Sequence, residues 1–88
     1  MKIKEGFKMR TIINEKLIVS EGRKNIDFNK IIRLNETSAY LWENLVGKDF
    51  TIDDMVALLT AEYEVDEATA KNDCEALIQQ WAENGLVE

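Results

Sequence analysis

The first part of the chain alternates apolar and polar residues, whereas the second part repeats apolar residues at helical spacing. Alternate apolar positions over residues 7–13 predict a strand with one face on a core. Asn14-Glu15 reads as a tight turn, and the branched residues at 16–19 predict a second strand. Residues 30–34 predict a third. An antiparallel sheet is the simplest assembly of these strands.

Three helices are predicted after the strands, over residues 36–46, 52–63 and 67–84. Apolar residues recur there at three- and four-residue steps, which is the period of a helix with one buried face. Side chains that can cap a first turn, or glycines that can end a last turn, mark the boundaries. The caps are Asn35, Thr51 and Asp66, and the glycines are Gly47 and Gly85.

The segment 20–29 between the second and third strands is polar and reads as a longer connection, with Ile26 and Phe28 docking on the sheet. The large apolar side chains are needed for the core of so small a chain, so we assign none of them to a cofactor. We place in the core Trp42, Phe50, Met55, Tyr63 and Trp81.

Length and composition describe one domain over residues 1–88. The chain is 45% apolar and 32% charged, which is typical of a soluble globular protein. No apolar run approaches the roughly 18 residues of a membrane span, and residues 1–6 lack the apolar stretch of a secretory signal. We therefore expect a cytoplasmic protein with no membrane partner.

The cysteine and histidine content argues against metal and enzyme chemistry. Cys74 is the only cysteine and the chain has no histidine, so the usual zinc sites and Cys–His nucleophile pairs cannot form within one chain. We expect Cys74 in the core. The sequence predicts no catalytic residue, no metal site and no cofactor.

Charge divides the chain at the start of the first helix. Residues 1–34 have a net charge of +5 and residues 35–88 a net charge of −11, within a total of −6. The two parts therefore present opposite electrostatic fields.

Several short segments recur in a recognisable order and spacing: 34–42, 50–54, 58–59, 63–65 and 77–87, together with Gly47 and Asp73. In this order they resemble the PqqD-like family, over roughly residues 7–87. That family includes the accessory protein of pyrroloquinoline quinone biosynthesis and the recognition domains for precursors of ribosomally made, modified peptides.

The resemblance implies an α+β fold like a winged helix-turn-helix, in which a three-stranded antiparallel sheet is followed by three helices. It also implies a non-catalytic function. Such domains bind the leader of a precursor peptide as an extra strand beside the third strand, in a groove against the third helix. They present it to a modifying enzyme, often a radical S-adenosylmethionine enzyme.

Matched by position, the peptide-contacting candidates fall into two groups. From the third strand they are Lys30, Ile31, Ile32 and Arg33, and from the third helix they are Asp73, Ala76, Leu77 and Gln80. Lys30 and Arg33 would attract an acidic leader, and Asp73 would bind a basic residue or cap backbone amides. We expect Ile32→Pro to remove a backbone donor from the edge of the sheet.

Other functions are weighed against this one. A winged-helix DNA-binding domain has the same architecture, but helices 52–63 and 67–84 offer Lys71 alone against many carboxylates, which repel phosphates. A carrier protein would need a modified serine, and Ser38 lacks the usual Asp-Ser-Leu setting. A generic protein-interaction module stays open. Exposed strand edges and the connection at 20–29 also allow a strand-swapped homodimer.

Overall fold

The computed structural model describes residues 1–20 and 31–88, and in it three strands precede three helices. The strands are β1 (Phe7–Ile12), β2 (Glu15–Ser20) and β3 (Ile32–Leu34), and the helices are α1 (Glu36–Leu45), α2 (Ile52–Glu62) and α3 (Glu67–Glu83). The predicted fold class is confirmed. Within the described ranges, no helix is long and apolar enough to cross a membrane.

The strands form one antiparallel sheet in the order β1-β2-β3. The predicted hairpin is present, but its turn lies one residue earlier than predicted. Ile12 pairs with Glu15, so the two-residue loop is Ile13-Asn14, and Ile13 has a φ of 56°. A positive φ at the first loop residue and a negative φ at the second are typical of a type II′ turn.

The third strand is shorter than predicted. It begins at Ile32, and Ile31 precedes it outside any regular element. The predicted strand residue Lys30 and the predicted docking residues Ile26 and Phe28 lie outside the described residues.

The predicted helix caps are all present. The Asn35 carboxamide oxygen accepts a hydrogen bond from the Ser38 amide at 2.7 Å, and Thr51 and Asp54 form a reciprocal capping box. These bonds satisfy amides that a helix cannot pair internally. The Asp66 carboxylate accepts a hydrogen bond from the Thr69 amide and so caps α3, and Gly47 and Gly85 take positive φ where α1 and α3 end.

The core joins the inner face of the sheet to the three helices. Trp42 from α1 and Trp81 from α3 meet edge to face, with ring centroids 5.3 Å apart. An edge-to-face pair of this kind is the arrangement that aromatic rings favour. Of the residues predicted to be in the core, Tyr63 is only half-buried; the others, Cys74 included, are buried.

The N-terminal segment also belongs to the core, which the sequence pattern did not indicate. Ile3 is 3% exposed and packs in the main hydrophobic cluster. Its neighbours bond through their backbones to two distant loops. Lys4 donates to the Leu86 carbonyl at 2.8 Å, and Phe50 donates to the Met1 carbonyl at 2.7 Å.

Candidate functional site

A groove of about 370 Å³ lies between the start of α1 and one flank of α3. All four helix residues that the resemblance implied, Asp73, Ala76, Leu77 and Gln80, line it. They share a flank because residues three and four apart on a helix lie next to one another. The core stripe of α3, which includes Ala70, Cys74 and Trp81, lies beside this flank.

The other lining residues come from α1 and α2, and sequence reasoning missed them. Asn35, Thr37 and Ser38 lie at the start of α1, and Leu41 and Leu59 form the floor together with Leu77. The sequence offered one signal for the first three residues. Because α1 starts directly after β3, its first turn must lie next to the end of that strand. Leu41 and Leu59 could not be told from ordinary core residues by their spacing.

The backbone groups of β3 point alternately toward β2 and away from it. A two-residue hairpin loop closes on a hydrogen-bonded pair, here Ile12 and Glu15. Along an antiparallel ladder, hydrogen-bonded pairs alternate with non-hydrogen-bonded pairs. Successive residues of a central strand therefore direct their backbone N–H and C=O groups to the neighbouring strand on one side and then to the one on the other side. Lys16 and Ile18 of β2 therefore bond to β3, where their partners are Leu34 and Ile32.

It follows that Arg33 directs its backbone N–H and C=O away from β2. Among the described residues, β3 pairs with β2 only, so its other edge is open within that part of the chain. The expectation for Ile32→Pro is therefore corrected, because the amide of Ile32 bonds within the sheet. Arg33 is the position at which proline would remove a donor from the free edge.

The side chains of the edge follow the same alternation. Ile32 packs against the core cluster, whereas Ile31 is 59% exposed. The Arg33 side chain is 79% exposed and lies 3.7 Å from the Glu15 carboxylate. A pair this exposed contributes little to stability, about 0–1 kcal/mol. The Arg33 guanidinium is thus accessible to a ligand on the outer face of the sheet.

The described residues beside the groove include one thiol, that of Cys74. Burial, and secondarily the charge of Asp73, raise the pKa of the Cys74 thiol to about 11. The thiolate is the reactive form of cysteine, so Cys74 is inert near neutral pH. In the described ranges, no group of three His, Cys, Asp or Glu side chains could hold a metal ion.

A second groove, of about 420 Å³, lies on another side of α2. It is lined from α1, the α1–α2 loop and α2 by Asn44, Leu45, Lys48, Asp49, Phe50, Asp54, Ala57, Leu58 and Ala61. It shares no residue with the first groove. The alanines of the second groove, Ala57 and Ala61, therefore provide matched controls for substitutions in the first groove.

The sequence profile of the family described as coenzyme PQQ synthesis protein D (PqqD) matches residues 15–87. The chain belongs to the PqqD family. This match covers β2, β3 and all three helices, and it confirms the resemblance. A comparison with curated proteins found no match to this PqqD-family chain.

Two solved structures have the same fold as this PqqD-family protein. One is TbiB1 in complex with the TbiA(beta) leader peptide, with a TM-score of 0.78 and 22% identity, covering 100% of this chain and 95% of that chain. The other is lasso peptide synthetase B1 complexed with the leader peptide, with a TM-score of 0.74 and 24% identity, covering 99% and 95%.

Proposed function

We propose that this protein binds the leader of a ribosomally made precursor peptide and presents it to a modifying enzyme, without catalysis of its own. One observation carries the proposal: β3, whose outer edge is unpaired among the described residues, is followed directly by Asn35 and the first turn of α1, and these line a groove together with α3. An extended peptide can pair with such an edge while its alternate side chains enter the groove. Backbone bonds then supply affinity, and the groove supplies selectivity.

Membership in the PqqD family supports this function. The two proteins of the same fold were each solved with a leader peptide bound, which shows that this architecture accommodates such a ligand. The partner enzyme would be of the radical S-adenosylmethionine type or another peptide-modifying enzyme. We place the protein in the cytoplasm, where precursor peptides are made.

The proposed contacts retain the residues identified from the resemblance. Ile31 and Arg33 bond the leader backbone, Ile32 supports the edge from beneath, and the α3 flank receives leader side chains. Lys30, which lies outside the described residues, keeps its proposed role in attracting an acidic leader.

Groove occupancy is tested with linear peptides selected from a displayed random library against the wild-type protein. Ala76→Trp fills the groove, and we expect it to weaken binding at least about tenfold, equivalent to ~1.4 kcal/mol. Ala57→Trp places the same side chain in the second groove and should leave affinity unchanged. Equal affinity of both variants, measured by calorimetry, would contradict binding in the first groove.

Strand addition is tested by proline substitutions at adjacent positions. Arg33→Pro removes a free-edge donor, and we expect affinity to fall by more than in Arg33→Ala, which removes only the side chain. One lost backbone bond of ~0.5–1.5 kcal/mol corresponds to about 2- to 12-fold. Ile32→Pro should instead lower the melting temperature. Indistinguishable affinities of Arg33→Pro and Arg33→Ala would rule out pairing at this edge.

A further inference from the structure

The groove presents one charged side chain over an apolar floor. Of the described residues that line it, only Asp73 is charged. Asp73 is exposed, and within the described ranges its carboxylate forms no hydrogen bond or ion pair. A carboxylate at the rim of a groove with no cation beside it favours a positively charged ligand group.

The remaining polar side chains at the rim cannot replace that charge. The Asn35 carboxamide oxygen already accepts bonds from the Ser38 amide and hydroxyl, at 2.7 and 2.6 Å. What Asn35 still offers is an N–H donor. Gln80 offers an uncharged amide. Asp73 is therefore the residue that distinguishes a cationic from an anionic leader side chain.

The distance between Leu77 and Asp73 along α3 matches the distance between side chains on one face of an extended strand. Asp73 and Leu77 are one turn apart on α3, which is about 6 Å along the helix axis. Side chains two residues apart on a strand lie on the same face and are separated by about 6.8 Å. A strand running along α3 would therefore place one side chain over Leu77 and the next on that face over Asp73.

We propose that the groove selects a leader segment in which a large apolar residue and a Lys or Arg are two positions apart. The apolar side chain rests on Leu41, Leu59 and Leu77, and the cation bonds to Asp73. This rests on the proposed function and defines its substrate. The opposite face of the same segment lies on the side of Arg33, so acidic leader residues belong on that face.

The test selects peptides from a displayed random library against three proteins: wild type, Asp73→Lys and Glu75→Lys. Glu75 is exposed on α3 but does not line the groove, so it undergoes the same charge change outside the site. We expect peptides selected on wild type and Glu75→Lys to carry Lys or Arg two positions from a large apolar residue. Asp73→Lys should select Asp or Glu at that position.

A double-mutant cycle with one selected peptide then measures the contact itself. Reversing the peptide cation to Glu, or Asp73 to Lys, should each weaken binding about two- to fivefold, as is usual for exposed ion pairs. The two changes together should restore most of the affinity. Equal melting temperatures would show that the variants remain folded.

Two results would overturn the subsite. One is selection of the same peptide pattern by wild type and Asp73→Lys. The other is additive losses of affinity in the double-mutant cycle. Either result would mean that Asp73 does not bind a leader cation and instead, for example, accepts a hydrogen bond from a backbone amide. A different failure would concern the proposed function. If no selected peptide loses affinity for Ala76→Trp, the groove itself is not the binding site.

Discussion

Ile13 occupies the tip of the β1–β2 hairpin in a backbone conformation that isoleucine rarely adopts. Its φ is 56° and the residue is 89% exposed. A residue with a β-carbon loses roughly 1–2 kcal/mol in the left-handed region, and this exposed side chain has little packing to offset that loss. Sequence reasoning placed the turn at Asn14-Glu15 because asparagine is a common turn residue and isoleucine is not.

Replacing Ile13 with glycine should therefore stabilise the protein. Glycine adopts positive φ without strain, but it has about 0.5–1 kcal/mol more conformational entropy to lose on folding. We expect a net gain of about 0.5–1 kcal/mol in the free energy of unfolding, measured by urea denaturation. Ile12→Gly, in the adjoining strand, should lose stability. A destabilised Ile13→Gly would show that the isoleucine conformation is not strained.

Asp66 at the start of α3 makes part of the stability dependent on pH. The Thr69 amide and hydroxyl donate to its carboxylate at 2.7 and 3.1 Å, and these bonds lower its pKa. A carboxyl whose pKa is lowered by folding stabilises the protein above its unfolded pKa of about 3.9. That contribution is lost as the pH falls through the folded pKa.

Asp66→Asn should remove this pH dependence while keeping a capping side chain. We expect wild type to be more stable than Asp66→Asn at pH 7, and the difference in melting temperature to shrink as the pH falls below about 3.9. This difference in melting temperature is measured by thermal unfolding monitored by circular dichroism. A difference that is constant across this range would mean that the Asp66 charge does not stabilise α3.

The helices were predictable as elements because their signals are local. Each has a capping side chain and a regular apolar period, and the observed bounds of α2 and α3 lie within one residue of the prediction. The edge geometry was not predictable in this way. A turn at Asn14-Glu15 would have directed the Ile32 amide to the free edge and the Arg33 amide to β2. An error of one residue in the turn therefore exchanges which of these two amides is available to a ligand.

The groove depends on how α1 and α3 are held apart, and the Trp42–Trp81 pair lies between them in the core. Each tryptophan is at most 2% exposed. Spacing along the sequence identified both as core residues, but not their contact, since a contact between distant helices depends on the whole packing. The α3 flank of the candidate site was predicted from the family resemblance, whereas Leu41 and Leu59 could be recognised as lining the groove only in the folded chain.

Trp42→Ala should cost about 3–5 kcal/mol, as is usual for removing a large aromatic side chain from a core. In a domain of this size that loss approaches the whole stability, so we expect a largely unfolded protein by circular dichroism at 37 °C. Val46, at the end of α1, is 46% exposed, and Val46→Ala should change stability by less than about 0.5 kcal/mol. A Trp42→Ala protein that remains folded would show that the fold does not require this pair.

At the scale of the whole molecule, the N-terminal segment joins parts of the chain that are distant in sequence. Residues 1–4 bond through their backbones to the α1–α2 loop and to the segment after α3. Sequence reasoning found no structure in this segment because its single large buried residue, Ile3, lies among lysines and shows no period. Such a contact is recognisable only when its partners have been brought together.

Ile3→Ala should therefore destabilise the entire fold rather than one end of it. Ile3 is 3% exposed within the same cluster as Trp42 and Leu86, and removing a buried isoleucine to alanine costs about 2–5 kcal/mol. Lys4→Ala is the matched control, because the Lys4 bond to the Leu86 carbonyl is made by the backbone amide and survives the substitution. Hydrogen exchange of the amides in all three helices should be faster in Ile3→Ala than in wild type, and it should be unchanged in Lys4→Ala. Faster exchange confined to residues 1–4 and 86–88 would mean that the segment is an attached end and not part of the cooperative core.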